Sequence, residues 1–123
     1  MKIFENSHIY VETEDFEIPW LKIFAKKECK EMSDCDEETK RHIFKALELI
    51  EKEMIRYFNP DKINIASFGN YLPKVHWHIQ ARFKNDSYFP EPIWGKKQRE
   101  SELDLPDFEN FYKILKIILK ESL

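Results

Sequence analysis

A chain of 123 residues has the size of one domain, residues 1–123, and 42% apolar content with 15% aromatics is enough to fill a core. Its net charge of −3, with 35% charged residues, carries no basic excess. That argues against a dedicated DNA or RNA binder, and no apolar run approaches the ~20 residues of a membrane span.

The N-terminus, Met1-Lys2-Ile3-Phe4-Glu5, lacks a signal-peptide apolar region, so the cytoplasm is the expected location. His8 to Thr13 alternates loosely around Ile9, Tyr10 and Val11 and predicts a first strand. Pro19 to Ala25 predicts a second, with Leu21 and Ile23 on one face and Lys22 and Phe24 on the other. Glu14 to Glu17 forms the acidic turn between them. Cys29 and Cys35 stand six apart, which is not zinc-knuckle spacing. Inert, reduced thiols are expected ahead of a metal or disulfide pair.

Ser33 or Asp34 can cap a helix whose first turn carries Asp36, Glu37 and Glu38, negative charge at the positive end of the helix dipole. Ile43, Leu47, Ile50, Met54 and Tyr57 then recur at helical spacing through Phe58, and Asn59-Pro60 ends this long central helix. Lys62 to Phe68 predicts a third strand, with Ile63 and Ile65 opposite Asn64 and Ala66. Gly69 to Pro73 is a turn. With Gly95 the only other glycine, no Gly-rich phosphate loop is possible, and Walker and Rossmann chemistry are excluded.

Lys74-Val75-His76-Trp77-His78-Ile79-Gln80-Ala81-Arg82 is the most informative stretch. On a strand, alternate residues share a face, so Lys74, His76, His78, Gln80 and Arg82 face one way. That row contains no acid and suits an anion such as phosphate. Asn85 to Gly95, with two prolines and three aromatics, predicts a loop packed over something, and Pro106 opens a C-terminal helix with Phe108, Phe111, Tyr112, Leu115, Ile118 and Leu119 apolar. The fold class is α+β.

The His76/His78 pair admits three readings. A metal needs a third ligand, yet the following positions are Ala81, Arg82, Phe83 and Lys84, so no metal site is expected. Two buried histidines without function, beside Lys74 and Arg82, would be costly without an anion. The third reading is phosphate chemistry, in which one neutral imidazole attacks phosphorus and its neighbour stabilises or protonates.

The segment from Gly69-Asn70 through Lys74-Val75-His76-Trp77-His78-Ile79 resembles the signature of the histidine triad (HIT) superfamily. Asp61-Lys62-Ile63-Asn64 and Phe89-Pro90-Glu91-Pro92-Ile93-Trp94-Gly95 resemble its short bacterial, diadenosine tetraphosphate hydrolase-like branch. Pro19-Trp20-Leu21 and the helix after Ser33 extend the likeness to about 100 residues.

The resemblance implies a HIT-like fold with a five-stranded antiparallel sheet, one long central helix and a C-terminal helix. It also implies homodimers and hydrolysis or transfer at a nucleotide α-phosphate through a covalent nucleotidyl-histidine. His76 matches the nucleophile and His78 the third triad position; Asn64 and Asn70 match polar positions near ribose and phosphate, and Trp20 lies near the base-pocket mouth. Lys74 departs from the motif by standing where the first histidine belongs. It supplies charge but no neutral imidazole near pH 7. A second departure is Glu14-Asp15, where many members place asparagine. Arg82 projects toward phosphate or pairs with Glu91, and Trp94 is a packing anchor or a base platform.

The expected function is nucleotide hydrolysis or transfer of the diadenosine polyphosphate or phosphoramidate class. The alternative is a nucleotide-binding module with weak turnover. No protein-bound cofactor is expected, although Mg²⁺ can arrive with a polyphosphate. His8 and His42 are expected to be surface residues.

Overall fold

The computed structural model describes residues 1–123. Five strands, β1 (Lys2–Glu5), β2 (Ile9–Thr13), β3 (Trp20–Ala25), β4 (Lys62–Ala66) and β5 (His76–Arg82), form one sheet in the order β1-β2-β3-β5-β4, every pair antiparallel. Two helices complete the α+β architecture, α1 (Glu37–Phe58) and α2 (Phe108–Ser122). Strand β1 is not legible from alternation, because four residues at a sheet edge are too short for a period. Strand β5 begins at His76, so Lys74 precedes it rather than lying within it.

Local chemistry sets the helix ends. Asp36 caps α1 by accepting the Thr39 backbone N–H at 2.7 Å. The expected caps fall short because Asp34 lies in a 3₁₀ turn, Met32–Asp34, and accepts from the Glu31 N–H. Asn59, at φ 48°, closes α1 in the left-handed conformation that asparagine tolerates. Asp107 caps α2, one residue after Pro106.

One sheet face is the core. Ile9, Val11, Leu21, Ile23, Ile79 and Ala81 are fully buried with Ile43, Ala46, Ile50 and Met54 of α1, and Phe111, Leu115 and Leu119 of α2 join them. Each large aliphatic side chain so buried contributes about 1.5–3 kcal/mol. A one-residue slip of β5 would turn Ile79 and Ala81 out and drive His76 and His78 into this apolar layer, so packing fixes their face. The opposite face carries Tyr10, Trp20, Lys22, Phe24, Asn64, His76, His78, Gln80 and Arg82.

Cys29 and Cys35 correct the expectation of free thiols: they form a disulfide, with Cα atoms 5.6 Å apart. The 3₁₀ turn between them doubles the chain back and brings the two thiols together. The Cys29 carbonyl accepts the Val75 N–H at 2.8 Å, so this loop leans on the segment entering β5.

Candidate active site

The two histidines of β5 lie side by side on the open face, ring centroids 5.3 Å apart. His76 is 8% exposed and His78 9%. Both line a cavity of about 370 Å³ whose other walls are Phe68, Gly69, Asn70, Tyr71, Leu72 and Trp94. Gly69, at φ 76°, makes the turn from β4 into this wall with a backbone that a side chain would strain.

Hydrogen bonds assign different roles to the two rings. His76 Nδ1 lies 2.8 Å from the Lys74 carbonyl oxygen, which can only accept, so Nδ1 carries the proton. In the neutral ring, Nε2 then holds the free lone pair. His78 is reversed. Its Nδ1 accepts the Trp20 indole N–H at 3.0 Å, so its proton sits on Nε2. One ring presents an acceptor and its neighbour a donor. Burial, followed by repulsion from His76 and Lys22, pushes the His78 pKa down to about 4, so the ring is neutral at pH 7. Phe24 stacks under the His76 ring at 5.2 Å, and Tyr10 stacks on Phe24 at 4.8 Å.

Of the other expected site residues, only Asn70 shares this cavity. Trp20 stands behind His78. Asn64 lines an adjoining cavity of about 520 Å³ that shares Phe68 and Trp94 with the first. Trp94 is 45% exposed and packs edge-on against Trp20, Phe68 and His78, so it is at once an anchor and a wall.

Two expected ligand-binding cations point elsewhere. The Lys74 ammonium donates to the Tyr10 hydroxyl at 3.2 Å and lies 3.6 Å from Glu28, and the hydrogen bond to Tyr10 raises its pKa first. It does not line the cavity. Arg82 is 1% exposed. Its guanidinium holds both oxygens of Asp86, the Asn64 side-chain oxygen at 2.8 Å and the Glu91 carbonyl at 2.7 Å. The row read as acid-free thus ends on a buried acid four residues beyond Arg82, which corrects the assignment of Arg82 to substrate. Its link to Glu91 runs through the main chain. Glu14 is paired with Lys22 at 2.8 Å.

Sequence reasoning missed Phe24, Tyr10 and Asp86. Alternation puts Phe24 and Tyr10 on the open face, but only the β2–β3–β5 register sets them under His76. Away from this site, His8, Glu38 and His42 place one donor atom each within 4.8 Å of one another. Asn6 fixes its orientation by accepting the His8 and Ile9 N–H groups and donates to His42 Nδ1 at 3.0 Å. The remaining His42 proton then sits on Nε2, which lies 4.0 Å from a Glu38 carboxylate oxygen.

An open-faced antiparallel sheet backed by two helices, with paired imidazoles flooring a cavity, defines the class of protein. The HIT domain family model matches residues 17–85, more than half of the chain, and the chain belongs to the HIT family, a superfamily of nucleotide-binding hydrolases and transferases. Among solved structures it is similar to the histidine triad protein blr8122 from Bradyrhizobium japonicum, at 27% identity and TM-score 0.78, over 95% of this chain and 88% of that one. A histidine triad protein from Marinobacter aquaeolei matches at 24% identity and TM-score 0.72, over 98% of this chain and 86% of that one. One from Sinorhizobium meliloti matches at 21% and 0.73, over 100% and 89%. No curated protein matches the sequence.

Proposed function

We propose that the chain hydrolyses or transfers at the α-phosphate of a nucleotide of the diadenosine polyphosphate or nucleoside phosphoramidate class, through a covalent nucleotidyl-His76. The supporting observation is the pair of complementary tautomers on one cavity floor. The His76 Nε2 lone pair forms a P–N bond as the bond from phosphorus to the leaving group breaks. The His78 Nε2–H faces the reacting phosphate and donates a hydrogen bond to its oxygens, while any proton the leaving group needs comes from solvent water. Water then attacks phosphorus, the P–N bond breaks, and His76 is regenerated with release of the nucleotide. Asn70, which lines the same cavity, supplies a polar contact. Mg²⁺ comes with a polyphosphate substrate rather than with the protein.

A second reading, a nucleotide-binding module with weak turnover, draws on Lys74. The first triad position carries an ammonium tied to Tyr10 and Glu28 instead of a ring facing the cavity. Turnover of diadenosine polyphosphates and adenosine phosphoramidates by wild type and His76→Ala decides between the two. The enzyme reading expects robust wild-type turnover, a loss of about 10³-fold or more in the variant, and a denaturant-stable, acid-labile nucleotidyl adduct in wild type alone. Nucleotide binding without turnover in either protein supports the module, as does a large gain on Lys74→His.

We further propose a homodimer and a cytoplasmic location. Strand β4 is an unpaired sheet edge with Ile65 and nearby Phe68 exposed, which favours strand-edge or side-by-side association. No helix is long and apolar enough to cross a membrane.

A further inference from the structure

We propose that Trp20 is a positioning residue for the phosphate chemistry: its indole N–H occupies His78 Nδ1 and thereby keeps the His78 proton on Nε2, facing the cavity. The tautomer assignment stands on geometry alone, and its catalytic consequence rests on the function proposed above.

The indole nitrogen is a donor only, and at 3.0 Å from Nδ1 it requires that Nδ1 be bare. A neutral imidazole has a single ring proton, so Nε2 must carry it. The tryptophan is held from several sides. It lies in β3 opposite Gln80 of β5, two register positions from His78 and on the same face. Its ring meets Phe16 edge-on at 5.8 Å and Trp94 edge-on at 5.7 Å. A ring wedged between two aromatics keeps its N–H on one line. No other protein group hydrogen-bonds to the His78 ring, so Trp20 alone sets the tautomer from the protein side. His76 reaches the opposite tautomer through the Lys74 carbonyl. A two-proton or no-proton pair at the cavity floor would lack either the nucleophile or the donor. Control of the neighbouring ring is a role beyond the one expected of Trp20 from sequence, a place near the base-pocket mouth.

An N–H···N hydrogen bond transmits a scalar coupling between its two nitrogens. Uniformly ¹⁵N-labelled, substrate-free wild type is expected to show a cross-peak between Trp20 Nε1 and His78 Nδ1, with His78 Nδ1 at the shift of an unprotonated ring nitrogen. A His78 protonated on Nδ1, with no cross-peak, overturns the proposal. Replacement of Trp20 by 3-benzothienylalanine, which keeps the bicyclic shape and exchanges N–H for sulfur, tests the consequence without opening a cavity. The expected result is a rise in the Nδ1-protonated fraction of His78 and a fall in kcat of about tenfold with KM within about twofold. Trp20→Phe should show the same split. Unchanged kcat in the isostere overturns the positioning role. Because the coupling is read without substrate, an inactive wild type with the cross-peak present defeats only the function proposed above.

Discussion

At the scale of single residues, the proposed chemistry turns on where two protons sit. His76 and His78 have the same side chain, two positions apart, but a carbonyl faces one and an indole N–H the other. Burial also makes His78 a stability switch. The unfolded imidazole takes a proton near pH 6.5, whereas the folded ring resists until about pH 4. Between those values the unfolded state binds more protons, so stability present above pH 6.5 is lost as the pH falls toward 4 and changes no further below it. The loss is at most about 3 kcal/mol. Urea denaturation from pH 7 to pH 4 should show this slope in wild type and a shallower one in His78→Gln. Equal slopes in the two proteins would discard the assignment.

At the scale of elements, the loop after β5 is the piece that closes the site. Asp86 organises it by accepting the Phe83, Tyr88 and Phe89 N–H groups while paired with Arg82. Burial alone would raise the Asp86 pKa, but the Arg82 guanidinium and these N–H groups outweigh it and hold the carboxyl ionised. Ser87, next in the chain, donates twice to Glu17, which ties the loop to the turn before β3. Arg82→Met would leave a buried carboxylate without its counter-charge, at a cost of about 3–5 kcal/mol. Chemical denaturation measures this directly. A loss below about 1 kcal/mol would mean that water replaces the guanidinium. The same variant should raise KM through displacement of Trp94, because Arg82 itself does not reach the cavity.

At the scale of the whole molecule, two predictions concern covalent closure and assembly. The Cys29–Cys35 disulfide closes a short loop, for which chain entropy gives a stabilisation of about 2 kcal/mol. Thermal unfolding with and without reductant should show a drop in Tm, absent in a Cys29→Ser/Cys35→Ser protein. Identical Tm values would show that reduction leaves the folded state unaffected. Such a bond favours an oxidising setting, so thiol trapping in intact cells tests the cytoplasmic location as well. For assembly, sedimentation velocity should show a dimer whose dissociation is promoted by Ile65→Lys on the β4 edge. A monomer at all concentrations would refute the proposed homodimer.

Much of this protein is legible without coordinates. Period-2 alternation placed His76 and His78 on one face and Ile79 and Ala81 on the other, because the pleat allows no other arrangement. Helical spacing outlined the α1 core stripe, and the Gly69–Ile79 motif pointed to the family. Those properties are local, set by neighbours within a few residues. Sequence also left Arg82 between a phosphate and Glu91 and read the two thiols as separate, and the phosphate and the free thiols fail for one reason. A side chain's partner depends on what the fold brings opposite it, and Asp86, Asn64 and the returning 3₁₀ turn are matters of loop path and register. The tautomers are the clearest case: no spacing rule puts Trp20 against a histidine 58 residues away. The sequence by itself determined that two imidazoles share a face, and the tertiary structure decided which accepts and which donates, because protons follow hydrogen-bond partners that only the assembled sheet supplies.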